Sequence, residues 1–236
     1  VETPAPPIAE PTPALPQKPA MARWSIGANV GIPFFWGDMR TIAADKTYVG
    51  FSVGVQGSYR FSQLLSVSLS ADYTRGKIGA RGYAKDYLLT SDGMTHYTSQ
   101  AGAQAYKDLY SRVGVFSLGL SLDINANRIF YRDVTKHHFS VWVSPTIYGQ
   151  AFKANVYEKS GDAKLSDGTT APAGFSLGLG GSLSLRYKVS RTVELQFKNS
   201  LIWITDNRFD GIRTPYGKTK HNAMWIPQLG VIWNIK

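Results

Sequence analysis

Between Trp24 and Ile235 apolar side chains recur at every second position in eight separate segments, and no other feature narrows the possible folds as sharply. Successive side chains of a β-strand point to opposite faces, so a strict period of two describes a strand with one greasy face and excludes an amphipathic helix. The segments are Trp24, Ile26, Ala28, Val30, Ile32, Phe34; Val49, Phe51, Val53, Val55, Tyr59, Phe61; Leu65, Val67, Leu69, Ala71, Tyr73; and Phe116, Leu118, Leu120, Leu122, Ile124. They continue as Phe139, Val141, Val143, Ile147, Ala151; Phe175, Leu177, Leu179, Leu183, Leu185, Tyr187; Val193, Leu195, Phe197, Leu201, Trp203; and Trp225, Leu229, Val231, Trp233, Ile235. An all-β chain follows.

The connections alternate in length. Arg60 to Leu64 and Lys188 to Arg191 are tight turns, whereas Arg75 to Asp108, Phe152 to Gly174 and Thr205 to Lys220 are long and polar, with Gly37 to Thr47 intermediate. Short turns at one rim and long loops at the other describe an up-and-down antiparallel transmembrane barrel. Asn125 to His138 departs from this rule, being long on the short-turn rim. Tyr59-Arg60-Phe61-Ser62 is echoed by Tyr187-Lys188-Val189-Ser190, each followed by a new alternating run, which predicts two hairpins of one turn type.

Solvent is assigned by the opposite face. In a soluble sandwich it would carry Lys, Glu and Thr. Here it carries mostly Gly and Ser, which suits a confined lumen in which Gly27, Gly31, Gly50, Gly54, Gly119, Gly178 and Gly180 leave room for Trp142, Tyr148 and Arg186. Aromatic residues collect at the strand ends. Phe34, Trp36, Tyr48, Tyr73, Tyr110, Phe152, Phe175, Trp203 and Trp225 fall at the loop side, and Trp24, Tyr59, Phe61, Phe139, Tyr187 and Trp233 at the turn side. Two aromatic girdles around a Val/Leu/Ile/Ala band are the signature of a barrel facing lipid; the residues expected to carry them are Trp24, Trp36, Tyr59, Tyr73, Trp203, Trp225 and Trp233. Residues 1–21 hold prolines at 4, 6, 7, 11, 13, 16 and 19 and few large apolar side chains, and are expected to form a disordered, extended periplasmic tether to a barrel of residues 22–236.

With these features in place, residues 22–236 resemble the small eight-stranded outer-membrane barrels of the OmpA/OmpX type. Trp36-Gly37-Asp38-Met39 and Gly57-Ser58-Tyr59-Arg60-Phe61 are similar to outer-membrane barrel domains of the Bacteroidetes. The resemblance implies a cell outer-membrane location with the short turns in the periplasm. It also implies a terminal aromatic residue; the chain ends Trp233-Asn234-Ile235-Lys236, so either Trp233 or Ile235 takes that role or the natural end lies elsewhere. Pro-rich linkers of such proteins join a periplasmic domain, which here would precede residue 1.

Chemistry is sparse. There is no cysteine, which removes thiolate nucleophiles and thiolate metal sites, and no cofactor or metal is expected. Gly178-Leu179-Gly180-Gly181 lies within an alternating run with no helix after it, so it is not a phosphate loop. The resemblance raises lipid A acyl chemistry, but His96 and His221 fall on the loop rim and His137 and His138 on the turn rim, none beside a mid-strand Ser. Asp72, Asp123, Arg186, Glu194 and Lys198 occupy inward positions; buried charges need partners, so a network with an Arg186–Glu194 pair is expected, acting as an interior plug or, alternatively, as a narrow ion gate.

The chain has 26 Lys+Arg against 16 Asp+Glu, and the excess gathers at the rims. Arg75, Lys77, Arg81 and Lys85 lead into one loop, and Arg208, Arg213, Lys218, Lys220 and His221 surround another. Cations at headgroup height suit outer-membrane lipids and lipopolysaccharide, whereas nucleic-acid binding would require a basic groove with stacking aromatics on a soluble face. Arg128, Phe130, Tyr131, Arg132, Lys136, His137 and His138 make the over-long turn a candidate surface for a periplasmic or outer-membrane protein partner. The expected role is non-enzymatic: a structural anchor or an accessory subunit of a larger assembly or secretion complex.

Overall fold

The computed structural model describes residues 22–37, 39–80, 88–89, 95–96, 104–130, 137–165, 173–206, 208–212 and 222–235. Eight long strands dominate: β1 (Trp24–Gly31), β2 (Phe51–Arg60), β3 (Leu65–Ala80), β4 (Leu109–Asn125), β5 (Phe139–Glu158), β6 (Ala173–Lys188), β7 (Val193–Ile204) and β8 (Asn222–Ile235). Each pairs antiparallel with its sequence neighbours, and β1 closes the ring against β8 from Trp24↔Ile235 to Gly31↔Gln228. Closure leaves no sheet edge, the condition for spanning lipid with strands. The Pro-rich tether expected over residues 1–21 lies outside the described residues.

The first alternating segment is one strand in the sequence but two in space. Pro33 removes a donor after Gly31; the chain then resumes as Phe34–Trp36, still beside β8 through Trp225↔Phe34 and Ala223↔Trp36. Along β2, exposure alternates without a break from Phe51 to Ser58, and β7 behaves likewise. Strict alternation over this length lets one lipid-facing stripe and one lumen-facing stripe share a single strand.

β3, β4 and β5 run well beyond the alternation that marks them in the sequence, taking in residues expected to be loop. The reason is a reversal of polarity. Within the lipid band the outward residues are apolar and the inward ones are mainly Ser, Thr, Asp and Gln, with Trp142 and Tyr148 among them. Above it the outward residues become Arg75, Lys77, Arg112, Lys153 and Asn155, and the inward ones Ile78, Val113, Val115, Phe152, Ala154 and Val156, all buried. The period of two persists while the solvent on the outside changes from lipid to water.

Both tight turns share one construction. Phe61 and Ser62 donate backbone N–H groups to the Leu65 carbonyl at 3.0 and 3.2 Å, and Val189 and Ser190 donate to the Val193 carbonyl at 3.0 and 3.1 Å. The Ser62 hydroxyl accepts from the Leu64 and Leu65 amides and the Ser190 hydroxyl from those of Thr192 and Val193, satisfying turn donors that the ladder leaves open. The over-long connection contains a single helical turn, Asn127–Phe130. Asn127 fixes its base: the side-chain amide donates to the Phe139 carbonyl at 3.0 Å and its oxygen accepts from the Val141 amide at 2.8 Å.

Candidate functional site

The lower lumen, toward the tight turns, is a polar core built from inward positions. Asp72, Asp123, Arg186, Glu194 and Lys198 are all brought into it and all buried. Asp123 accepts from three hydroxyls, those of Ser66 at 3.3 Å, Ser121 at 3.2 Å and Ser68. Gln228 bridges Asn29 and Asp72, donating at 2.7 and 3.2 Å. Glu194 accepts from Asn234 at 2.9 Å.

The expected Arg186–Glu194 pair does not form. Register places Arg186 opposite Gln196 and Glu194 opposite Lys188, so the two are diagonal neighbours, and no ion pair joins them in the structure. The Arg186 guanidinium lies instead over the Trp142 ring, 4.6 Å from its centroid, and Arg60 lies over the same ring at 5.4 Å. Trp142 donates its indole N–H to the Ser140 hydroxyl at 3.0 Å. A desolvated cation over indole is worth about 2 kcal/mol, which makes the ring an alternative to a carboxylate. Lys198 sits in register between Ser184 and Gln228, without an ion-pair partner among the described residues.

Higher up, the lumen turns apolar. Phe35, Met39, Ile78, Leu109, Val113, Phe152, Ile202, Met224 and Ile226 join one buried cluster, and residues 208–212 fold down into it from the β7–β8 connection. Phe209 wedges between Phe35 and Phe152, with ring centroids at 5.7 and 5.4 Å. Asp210 secures the segment by accepting from the Met39 and Ile212 amides, each at 3.1 Å. Gly211 makes the turn at φ 86°, and a Cβ there would meet Ala154 and Val156 at 3.1 Å. This plug was missed in the sequence. Its one signal is Phe209 and Ile212 inside an otherwise polar loop.

The seven girdle residues all lie on the outer surface, at the two ends of the apolar band. Trp24 and Trp233 are 60% and 61% exposed at the turn rim, where Trp24 packs edge-on against Tyr59 at 4.7 Å. At the other end Trp225 stacks on Phe34 at 5.0 Å and on Trp36 at 6.2 Å, with Trp203 on the adjacent β7 and Tyr73 farther round the ring on β3. Trp225 and Trp233 are two ends of one strand, about 20 Å apart in height after tilt, close to the ~25 Å of a lipid-facing band.

Three loop-side aromatics expected in the girdle are elsewhere. Phe152 points into the plug because its parity on β5 is inward. Tyr48 and Tyr110 stack at 6.4 Å, and Tyr110 on Tyr157 at 5.3 Å, in a ladder above the band. Tyr110 donates to Asp162 at 2.6 Å and accepts from Arg112 at 2.9 Å. The Tyr110 hydroxyl holds the Asp162 carboxyl below its ordinary range, helped by the Arg112 charge. Burial, with Asp45 and Tyr110 adding to it, pushes the Tyr48 hydroxyl up to about 12.

At the turn rim, Phe130 is 79% exposed beside exposed Ile129, with Arg128 on the same helical turn and His137 and His138 nearby in the chain. Tyr131, Arg132 and Lys136 lie outside the described residues, as do His221, Arg81, Lys85, Arg213, Lys218 and Lys220. A ring nitrogen of His138 is 3.4 Å from the Lys188 carbonyl oxygen.

No family model matches the chain. Proteins of Brucella abortus and Brucella suis, each described as uncharacterized, are 29% identical over 157 residues, 53% of this chain and 54% of each relative. The chain therefore spans about half the length of the curated relatives it matches. A major outer membrane protein from Thermus thermophilus aligns with TM-score 0.49 and 13% identity, covering 89% of this chain and 98% of that one. Neisserial surface protein A aligns with TM-score 0.50 and 14% identity, covering 90% of this chain and 97% of that one. None of these matches bears on the finer likeness to Bacteroidetes domains; what the Neisserial likeness shows is the fold, a small up-and-down membrane β-barrel.

Proposed function

We propose that the chain is a closed, non-enzymatic barrel of the outer membrane, serving as an anchor or accessory subunit, with its tight-turn rim and residues 1–21 in the periplasm. The observation that carries this reading is the filled lumen. Polar side chains occupy its lower half and an apolar plug, including Phe209 and Ile212, its upper half, so the interior supports the wall. The surface left for work is external. Ile129 and Phe130 project from a base fixed by Asn127, as an apolar knob suited to a periplasmic or outer-membrane protein.

The test is co-purification from native outer membranes in mild detergent. Ile129→Asp combined with Phe130→Asp is expected to leave insertion intact and to abolish the specific partner seen with the unaltered chain. An unchanged partner set would remove this surface from the proposal. The narrow-pore alternative predicts stepwise conductance in planar bilayers that changes with Lys198→Ala; the filled lumen predicts a silent membrane.

A further inference from the structure

The cations just above the loop-side girdle are not scattered around the ring. Arg75 and Lys77 on β3, Arg112 on β4 and Lys153 on β5 all point outward from three adjacent strands. Register gives the lattice: Arg75, Gly114 and Lys153 lie in one row, Lys77, Arg112 and Asn155 in the row above, and Tyr73, Phe116 and Ala151 in the row below. Adjacent strands are about 4.8 Å apart, so Arg75 and Lys153 flank Gly114 with backbones about 10 Å from each other.

The floor between them is open. A Cβ on Gly114 would have as its nearest neighbours the Tyr73 hydroxyl at 3.6 Å and the Lys153 carbonyl oxygen at 4.0 Å. The Tyr73 hydroxyl therefore rises toward this floor and has no hydrogen-bond partner among the described residues. Above, Arg112 is held in place over Tyr157 at 4.4 Å and paired with Asp162 at 3.4 Å, while Lys77 lies over Tyr110 at 5.5 Å. Among the described residues Asp162, on Arg112, is the one carboxylate bonded to any of these four cations, and Arg75 and Lys153 have no ionic partner there.

We infer that this face binds the phosphorylated headgroup of an outer-leaflet glycolipid carrying two phosphates. One phosphate lies over Gly114 between Arg75 and Lys153 and accepts from the Tyr73 hydroxyl; the other meets Arg112 and Lys77. Guanidinium and ammonium groups favour phosphate oxygens through charge-assisted hydrogen bonds. The row directly below begins the exposed apolar surface of Phe116, Leu118 and Leu120, which would lie along the acyl chains. A soluble anion would satisfy the cations alone, whereas an amphiphile satisfies both halves of this surface. The inference rests on the outer-membrane reading and adds to it a ligand class and a place.

The experiment is native mass spectrometry of the full chain, titrated in detergent with bisphosphorylated lipid A, with its monophosphorylated form and with phosphatidylglycerol. One lipid A is expected to be retained per chain, in preference to either of the others. Arg75→Ala with Lys153→Ala should weaken retention about tenfold or more, the scale of a lost charge-assisted contact. Gly114→Leu, which keeps every charge but fills the floor, should weaken it as well. Arg191→Ala, at the opposite rim, should leave it unchanged. Equal retention by the double variant, equal retention by Gly114→Leu, or no preference for two phosphates would each overturn the site while leaving the barrel standing. Failure of the unaltered chain to insert into lipid bilayers would overturn the outer-membrane reading and this site together.

Discussion

Single residues in this barrel are constrained most tightly where the wall meets its filling. At Gly119 a Cβ would lie 2.7 Å from the Ser70 hydroxyl and 2.9 Å from the Tyr148 ring, so the missing side chain is what admits Tyr148 to the lumen. Gly119→Val is therefore expected to destabilise the barrel by about 1–3 kcal/mol through overpacking, measured as a lower urea midpoint for unfolding in detergent. An unchanged midpoint would mean that Tyr148 has room to move aside. Tyr48 offers a pH handle outside the lipid band. Its hydroxyl is raised from 10.0 to about 12 by burial, so the folded state favours the neutral phenol more than the unfolded chain does. That contribution is complete below pH 10 and is lost as pH rises through about 12. Ultraviolet tyrosinate titration should contain a late component that shrinks in Tyr48→Phe. The residue scale also marks a limit of the sequence: Arg186 and Glu194 are both readable as inward, but their pairing depends on a diagonal and on a competing indole, and neither appears in a one-dimensional pattern.

Among the elements, strands inside the lipid band are legible because lipid outside and Ser, Gly and Asp inside give a constant sign of alternation. β3, β4 and β5 outrun that reading because the sign inverts at Arg75, Arg112 and Lys153, where inward apolar residues now shield the plug from water. The plug segment was illegible for a different reason. Nothing in the spacing of Phe209 and Ile212 says which loop folds back, since the contacts that hold them come from Phe35, Met39 and Phe152, far away in the chain. Phe209→Ala is expected to cost about 3–5 kcal/mol of local packing. Because local opening governs cleavage, trypsin should cut after Arg208 more than tenfold faster in that variant, in intact proteoliposomes. Equal rates would show that Asp210 alone holds the segment. Between β4 and β5 the ladder lapses at one point: pairing runs to Val143↔Ile124 and resumes at Thr146↔Ser121, with Pro145 in the gap. Pro145→Ala returns a donor to the wall, and a gain of about 1 kcal/mol in the same unfolding assay is expected.

For the whole molecule, burial, alternation and closure agree on one solvent arrangement: lipid around the middle, water above the girdle, and protein filling the inside. The fold was readable from its pattern because the chain repeats one simple rule around the ring. Its role was not, because a filled barrel reserves its specificity for surfaces whose partners leave no periodic trace. The β1–β8 seam bears on how the molecule can be handled. Trp24 faces Ile235 across it, so both flanks of the ring depart from the rim that also carries Ile129 and Phe130. An epitope fused at either end will therefore report one and the same side of the bilayer, and an insertion in any of the connections β1–β2, β3–β4, β5–β6 or β7–β8 will label the other. Antibody access in intact cells to one such pair of tagged proteins would fix the orientation of every surface assigned above.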